Sequence, residues 1–140
     1  MPDFVIDANV LISFLISGKA SHKSILRSFR FVAPEFILSE VKQYEQEIFT
    51  KTKQSEAQLR SYTLDIFGEL TILPDYFTEI ENLLSASQML EKIDPKDIQY
   101  LALSLQLDLA LLTRDKPLYK GLRKQGYRKI MLFENFLKSI

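Results

Sequence analysis

The run Phe4-Val5-Ile6-Asp7-Ala8-Asn9-Val10-Leu11-Ile12 restricts the fold more than any other stretch of the chain. It is apolar except for a carboxylate and an amide in its middle. Phe4, Val5 and Ile6 suit a strand buried on both faces, as in a parallel sheet. Val10 to Ile16 reads as a mostly buried helix. Asp7 then falls at the carboxyl end of the first strand, where open α/β sheets place their ligands. An acid there is dispensable for folding and costly to bury unpaired. The position implies a bound group.

The rest of the chain repeats the alternation of short apolar strands and longer helical patterns. Ser17 to Ser21 reads as a loop, with Ser21 as the cap of a short helix ending at Phe29. Phe31-Val32-Ala33 is a second strand, closed by Pro34. The spacing of Phe36, Ile37, Val41, Tyr44 and Ile48 predicts one helix from Glu35 to about Lys53. A further helix runs from Ser55 to Glu69, a third strand spans Thr71-Ile72-Leu73, and Tyr76–Leu90 is helical again. Asp94-Pro95-Lys96-Asp97 has the chemistry of a helix start: an N-cap acid, a proline in the first turn and a second acid at the positive helix end. Leu109 to Leu112 is a fourth strand, followed by Thr113-Arg114-Asp115. A basic helix over Pro117–Gln125, stopped by Gly126, precedes a fifth strand at Lys129–Phe133 and a short final helix. Strands alternating with helices predict an α/β fold with a mainly parallel sheet.

With 140 residues, residues 1–140 are expected to form a single domain that buries about 68–70% of its unfolded surface. The chain has no cysteine and one histidine, His22, in a polar stretch that reads as surface. Thiolate chemistry, cysteine-ligated zinc and catalysis by a histidine pair are thereby excluded. Asp3 ahead of the apolar run, with Asp7 and Asn9 inside it, does not fit a signal peptide, and no uncharged window reaches the roughly 20 residues of a membrane span. The expected setting is the cytoplasm, with no membrane contact. The net charge is zero, but residues 35–97 hold thirteen acids and six bases, whereas residues 98–140 hold three acids and eight bases. A basic final third can hold phosphates although the neutral total disfavours indiscriminate nucleic-acid binding.

Five acids occupy positions suited to chemistry: Asp7, Glu40, Asp94, Asp97 and Asp115. Each also has a plain structural use. Asp7 can cap the helix that follows it, Glu40 can lie on a solvated helix face, Asp94 and Asp97 can cap, and Asp115 can serve a turn. Their joint placement is more telling. Asp7 and Asp115 end two apolar strands, and Asp97 opens the helix leading into the second. If those strands are neighbours, the carboxylates converge, and two bare carboxylates about 4 Å apart repel by roughly 4 kcal/mol at an effective dielectric near 20. Such a cluster persists only if protonated or holding a cation, and an all-oxygen set points to Mg²⁺ or Mn²⁺.

Asp7-x-Asn9-Val10-Leu11-Ile12, Glu40 on a mid-chain helix, Asp94-Pro95-x-Asp97-x-x-Tyr100-Leu101-Ala102-Leu103 and Leu112-Thr113-Arg114-Asp115-Lys116 together resemble the PIN-domain family. The likeness runs through the whole chain in order. It implies a three-layer α/β/α fold with a parallel five-stranded sheet of order 3-2-1-4-5. In that order strands 1 and 4 are adjacent and the strand order reverses between them, placing Asp7 opposite Asp115.

The resemblance further implies a metal-dependent ribonuclease, and many stand-alone relatives are VapC-type toxins paired with a small antitoxin. Position by position, Asp7, Glu40, Asp97 and Asp115 match the acidic quartet that holds one or two Mg²⁺ or Mn²⁺ ions. Asn9 and Thr113 match the small polar residues beside the first and last acids, and Asp94 is an extra acid read first as a cap. Many relatives carry another acid where this chain has Pro117, so the number of ions stays open. Expected partners are an RNA substrate, an antitoxin and a second copy in a homodimer. Arg114, Lys116, Lys120, Arg123 and Lys124 are candidates for substrate phosphate contacts, the last three sharing helical spacing.

Two other classes compete. Aspartate-based phosphotransfer also places an acid after strand 1. A haloacid-dehalogenase-like phosphatase, however, needs a second Asp where this chain has Asn9, and a receiver needs a phosphorylatable Asp ending strand 3, where Asp75 lies behind Pro74. The non-enzymatic alternative is a PIN-like module that binds RNA or protein without cleaving.

Overall fold

A computed structural model describes residues 2–140. Strand β1 spans Phe4–Ile6, and Val5 and Ile6, which point to opposite faces, are both fully buried. Both faces of the sheet are therefore covered, as the continuous apolar run requires. Helix α1 (Ala8–Ser17) follows immediately and ends at Gly18, whose positive φ of 63° lets its N–H reach the Phe14 carbonyl.

Helix α2 (Ala20–Ser28) leads into β2 (Phe31–Pro34), helices α3 (Phe36–Gln43), α4 (Glu45–Lys51) and α5 (Glu56–Gly68), then β3 (Leu70–Leu73) and α6 (Ile80–Leu90). Helix α7 (Ile98–Leu107) precedes β4 (Ala110–Thr113), α8 (Lys116–Lys124), β5 (Ile130–Leu132) and α9 (Phe133–Ser139).

All strand pairs are parallel, in the order β3-β2-β1-β4-β5. The expected topology is the observed one. Ile6 pairs with Leu112, so β1 and β4 end level with each other and Asp7 follows one as Thr113 completes the other. The strand order reverses here, between β1 and β4. On one side α7 lies across β1, β2 and β4 and carries α6, while α1 packs against α3, α4 and α5. At the opposite end of the sheet, Phe4, Phe29, Phe31 and Phe136 form an aromatic cluster with Phe4 and Phe136 centroids 5.0 Å apart. Apolar packing thus fixes one end of the β1 region and leaves the other for polar groups.

Several local expectations change. The predicted helix over Glu35–Lys53 breaks at Tyr44, whose φ of −98° and ψ of 14° end α3 and start α4. The bend keeps α3 on β2 and lays α4 along α1, burying Ile37 and Ile48. The predicted helix over Tyr76–Leu90 begins only at Ile80; Asp75–Phe77 is a 3₁₀ turn. Gln106 supplies the missing partners, accepting from the Glu79 N–H at 2.7 Å and donating to the Phe77 carbonyl at 2.8 Å. Ser21 does not cap α2, which starts earlier and has no side-chain cap. His22 is not a plain surface residue: its ring stacks on Phe14 with centroids 4.2 Å apart and its Nδ1 is 2.9 Å from the Ser17 hydroxyl. Among the described residues, no helix is long and apolar enough to cross a membrane.

Candidate metal centre

The carboxyl ends of β1 and β4 open into a cavity of about 330 Å³, lined by Asp7, Glu40, Asp97 and Asp115 among others. These four acids lie on four separate segments of the chain. Asp7 caps α1, its Oδ1 accepting from the Val10 N–H at 3.3 Å. Asp115 does the same for α8 through the Leu118 N–H at 3.0 Å. The two acids share a local reason for being where they are: each strand runs straight into a helix whose first turn needs a side-chain acceptor. Capping occupies only one oxygen of each carboxylate.

The other oxygen distinguishes them. Asp7 is 2% exposed, and its Oδ2 has no hydrogen-bond partner. Burial pushes its carboxyl up to about 8; the Thr113 hydroxyl and the Val10 N–H work against that rise, and Asp97 and Asp115 add to it. Asp97 closes a 3₁₀ turn over Pro95–Asp97, is 7% exposed, and also leaves its Oδ2 unpartnered. Burial is again the main cause of its rise to about 7, reinforced by Asp94 and Asp115 and opposed by Lys96. A buried carboxylate oxygen with no donor is costly. Two of them on residues that line one cavity call for a proton or a cation.

Asp94, Asp97 and Asp115 each offer an oxygen, and these three atoms lie within 4.8 Å of one another. Asp94 keeps its capping role as well, accepting from the Lys96 N–H at 3.2 Å, with the Lys96 ammonium 3.7 Å from its other oxygen. Asp97 and Asp115 therefore belong to both the cavity and this trio. The donor set is wholly oxygen, of a kind that suits a small hard divalent ion such as Mg²⁺ or Mn²⁺. Asp97 carries an orphaned oxygen and belongs to this trio, whereas Asp7, with the other orphaned oxygen, lies outside it.

Glu40 is held from below. The buried Tyr100 hydroxyl donates to its Oε1, fixing the carboxylate at the cavity wall. Burial and the neighbouring Glu40 carboxylate both raise the Tyr100 phenol well above its ordinary range, so it stays a donor. Asn9 and Thr113 join the two strand ends. Asn9 Oδ1 accepts from the Arg114 N–H at 3.0 Å and its Nδ2 reaches the Thr113 hydroxyl at 3.5 Å, while Thr113 Oγ1 accepts from the Asp115 N–H at 3.0 Å. This lattice ties the Asp7 junction to the Asp115 junction.

The basic candidates separate. Arg114 lines the cavity. Lys116 lines a neighbouring one, 3.8 Å from Glu134. Lys120, Arg123 and Lys124 are exposed and line neither, with Arg123 over the Tyr119 ring at 5.7 Å. Conversely, Lys51, Glu47 and Lys96 line the carboxylate cavity although sequence reasoning passed them over. Glu47 and Lys51 form an i,i+4 pair at 2.7 Å, which in sequence looks like any solvated helix pair. Only the bend at Tyr44 turns them inward. Tyr100 carried a signal, an aromatic three residues after Asp97, but no role.

Residues 5–134 match the family model of the PIN domain. Among solved structures, the chain is similar to the PAE2754 protein of Pyrobaculum aerophilum, with a TM-score of 0.72, 13% identity, and 99% of this chain and 94% of that one covered. It is also similar to a chain of a toxin–antitoxin complex from Klebsiella pneumoniae, with a TM-score of 0.62, 16% identity, and coverage of 92% and 96%. Curated proteins return no match. At these identities the solved structures speak for the fold, while the family model spans nearly all of the sequence. The chain belongs to the PIN-domain family.

Proposed function

We propose that this protein is a divalent-cation-dependent endoribonuclease acting as one domain over residues 1–140. The observation that carries the reading is the pair of buried, donor-less oxygens on Asp7 and Asp97, two residues that line one cavity with Glu40 and Asp115. Asp7, Asp97 and Asp115 would hold one or two Mg²⁺ or Mn²⁺ ions, with Glu40 on the cavity wall and Asp94 beside Asp97 and Asp115. Bound there, such an ion supplies Lewis acidity that makes water a nucleophile at neutral pH and offsets charge on the scissile phosphate.

The chain's own residues do the rest. Glu40, fixed by Tyr100, accepts a hydrogen bond from the attacking water and orients it. Asn9 and Thr113 keep the Asp7 and Asp115 carboxylates at constant separation. Arg114 meets the phosphate oxygens with a planar fork. Water oxygen bonds to phosphorus, the bond to the 3′-oxygen breaks, and that oxygen takes up a proton, giving a 5′-phosphate and a 3′-hydroxyl. Asp7→Asn is expected to abolish metal-dependent RNA cleavage while circular dichroism shows an unchanged fold. Undiminished cleavage by that variant would overturn the assignment.

The toxin role and its antitoxin partner belong to the same reading. Their support is the toxin–antitoxin neighbour together with an open, largely apolar groove between α4 and α5, where Ile48 and Leu59 form the floor and Phe49 and Leu64 stand exposed. A homodimer would use a second exposed stripe, Tyr76, Ile80 and Leu84. Sedimentation of the isolated chain, with Ile80→Lys as the disrupting variant, distinguishes a dimer on that stripe from a monomer.

A further inference from the structure

The cavity beside the carboxylate centre has no part in the chemistry described above. It measures about 200 Å³, and its walls are Arg114, Lys116, Leu132, Phe133 and Glu134. Arg114 lines both cavities, so the two sites share one guanidinium.

The charges of the two cavities differ in kind. Lys51 and Lys96, the other cations of the carboxylate cavity, are each tied to an acid, Glu47 at 2.7 Å and Asp94 at 3.7 Å. Arg114 has no ion pair among the described residues. In the second cavity the one acid, Glu134, meets Lys116 at 3.8 Å with both side chains more than half exposed. Such a pair contributes little and leaves Lys116 free to turn to another anion. Arg114 and Lys116 thus share a small cavity whose apolar side is Leu132 and Phe133.

We infer that this second cavity is a binding subsite for a phosphate of the same polynucleotide strand, adjacent to the one at the carboxylates. Arg114 bridges two consecutive phosphates, Lys116 takes the outer one, and Leu132 and Phe133 shield it from water. The inference rests on the polynucleotide reading of the carboxylate cavity and adds a length requirement. A ligand with a single phosphodiester reaches one cavity; a longer strand engages both.

Binding rather than cleavage tests it, using fluorescein-labelled oligouridylates, a dinucleotide and an octanucleotide, followed by anisotropy at low salt with Ca²⁺ in place of Mg²⁺ or Mn²⁺. Lys116→Ala is expected to weaken the octanucleotide several-fold and leave the dinucleotide unchanged. The salt dependence for the octanucleotide becomes shallower by about 0.7 in log–log slope, the loss of one phosphate contact on a single strand. Glu134→Gln moves octanucleotide affinity the other way. Inorganic phosphate added in competition separates a free-anion pocket, which it fills while leaving octanucleotide binding to depend on the strand. Equal weakening of both lengths by Lys116→Ala, displacement of the octanucleotide by millimolar phosphate, or no effect of either variant overturns the subsite. Length-selective loss with no metal-dependent cleavage supports the subsite and removes the nuclease reading, whereas failure of both oligonucleotides to bind removes both.

Discussion

The carboxylate cavity and the outer face of α8 are both charged and both carried by the sequence in short, regular spacing, yet they do opposite things. In the cavity, Asp7 and Asp97 are buried, each keeps one oxygen without a donor, and both carboxyls are pushed far above their ordinary range. On α8, Lys120, Arg123 and Lys124 are exposed, and Arg123 lies over its own helix's Tyr119. The free energy stored at the two places differs accordingly. A solvated cation costs nothing to keep and contributes little when removed, whereas a buried donor-less carboxylate destabilises the fold until something binds it. Charge density on a helix therefore says little about where free energy is stored in this chain, whereas burial with unsatisfied polarity marks the place.

The largest test of that contrast is Asp97→Asn. Cleavage is expected to fall by well over the roughly 10–100-fold that loss of an outer partner costs at a metal site. The metal-free variant is at the same time expected to melt no lower than the parent at pH 8, because a buried charge has been removed. Lower melting alongside retained cleavage would break the comparison. Next in size is Tyr100→Phe. It leaves the packing of a buried ring intact and removes only the hydroxyl on Glu40. A loss of about 10–100-fold in metal affinity or activity is expected, with Asp7→Asn background subtracted. An unchanged rate would place Glu40 outside the chemistry.

The pH dependence of stability is a smaller effect with a definite sign. Asp7 and Asp97 titrate at about 8 and about 7 in the folded chain against 3.8 ordinarily. The folded state therefore holds more protons than the unfolded chain between those limits, and stability is lost as pH rises through them. Melts in EDTA are expected to show these two groups lowering Tm from pH 5 to pH 8, and Mn²⁺ to raise Tm more at pH 8 than at pH 6. A metal-induced shift that is independent of pH would mean the cation binds elsewhere. The smallest expected effect is the double substitution Lys120→Ala with Lys124→Ala. Exposed positions away from the cavity are expected to change stability by less than about 0.5 kcal/mol, with cleavage altered by no more than about twofold. A large loss would restore the α8 face as a substrate surface.

Much of this architecture was readable before any coordinates. The apolar Phe4–Ile6 run with the acid at its end, the Asp94-Pro95-x-Asp97 helix start and the Leu109–Leu112 run followed by Asp115 placed three of the four cavity acids at element boundaries. Glu40 had no such marker, since nothing local distinguishes it from a solvated helix acid; its anchor, Tyr100, is sixty positions away. The same limit hid Lys51 and Glu47, which read as an ordinary helix pair until Tyr44 bends the chain. It also left Lys120, Arg123 and Lys124 indistinguishable from Arg114, although in the fold they are exposed and line neither cavity.

By itself, then, the sequence determined the alternation of strands and helices, the caps at Asp7 and Asp94, and the all-oxygen character of any metal site. These follow from periodicity, backbone satisfaction and residue type, each a property of a few neighbouring positions. Tertiary structure alone decided which charges share a cavity, which oxygens lose every donor, how Tyr100 pins Glu40, and why Arg114 lines two cavities while Lys120, Arg123 and Lys124 of the following helix line neither. Those outcomes depend on packing between segments far apart in the chain. Burial and the pKa shifts it causes exist only once those segments are packed together.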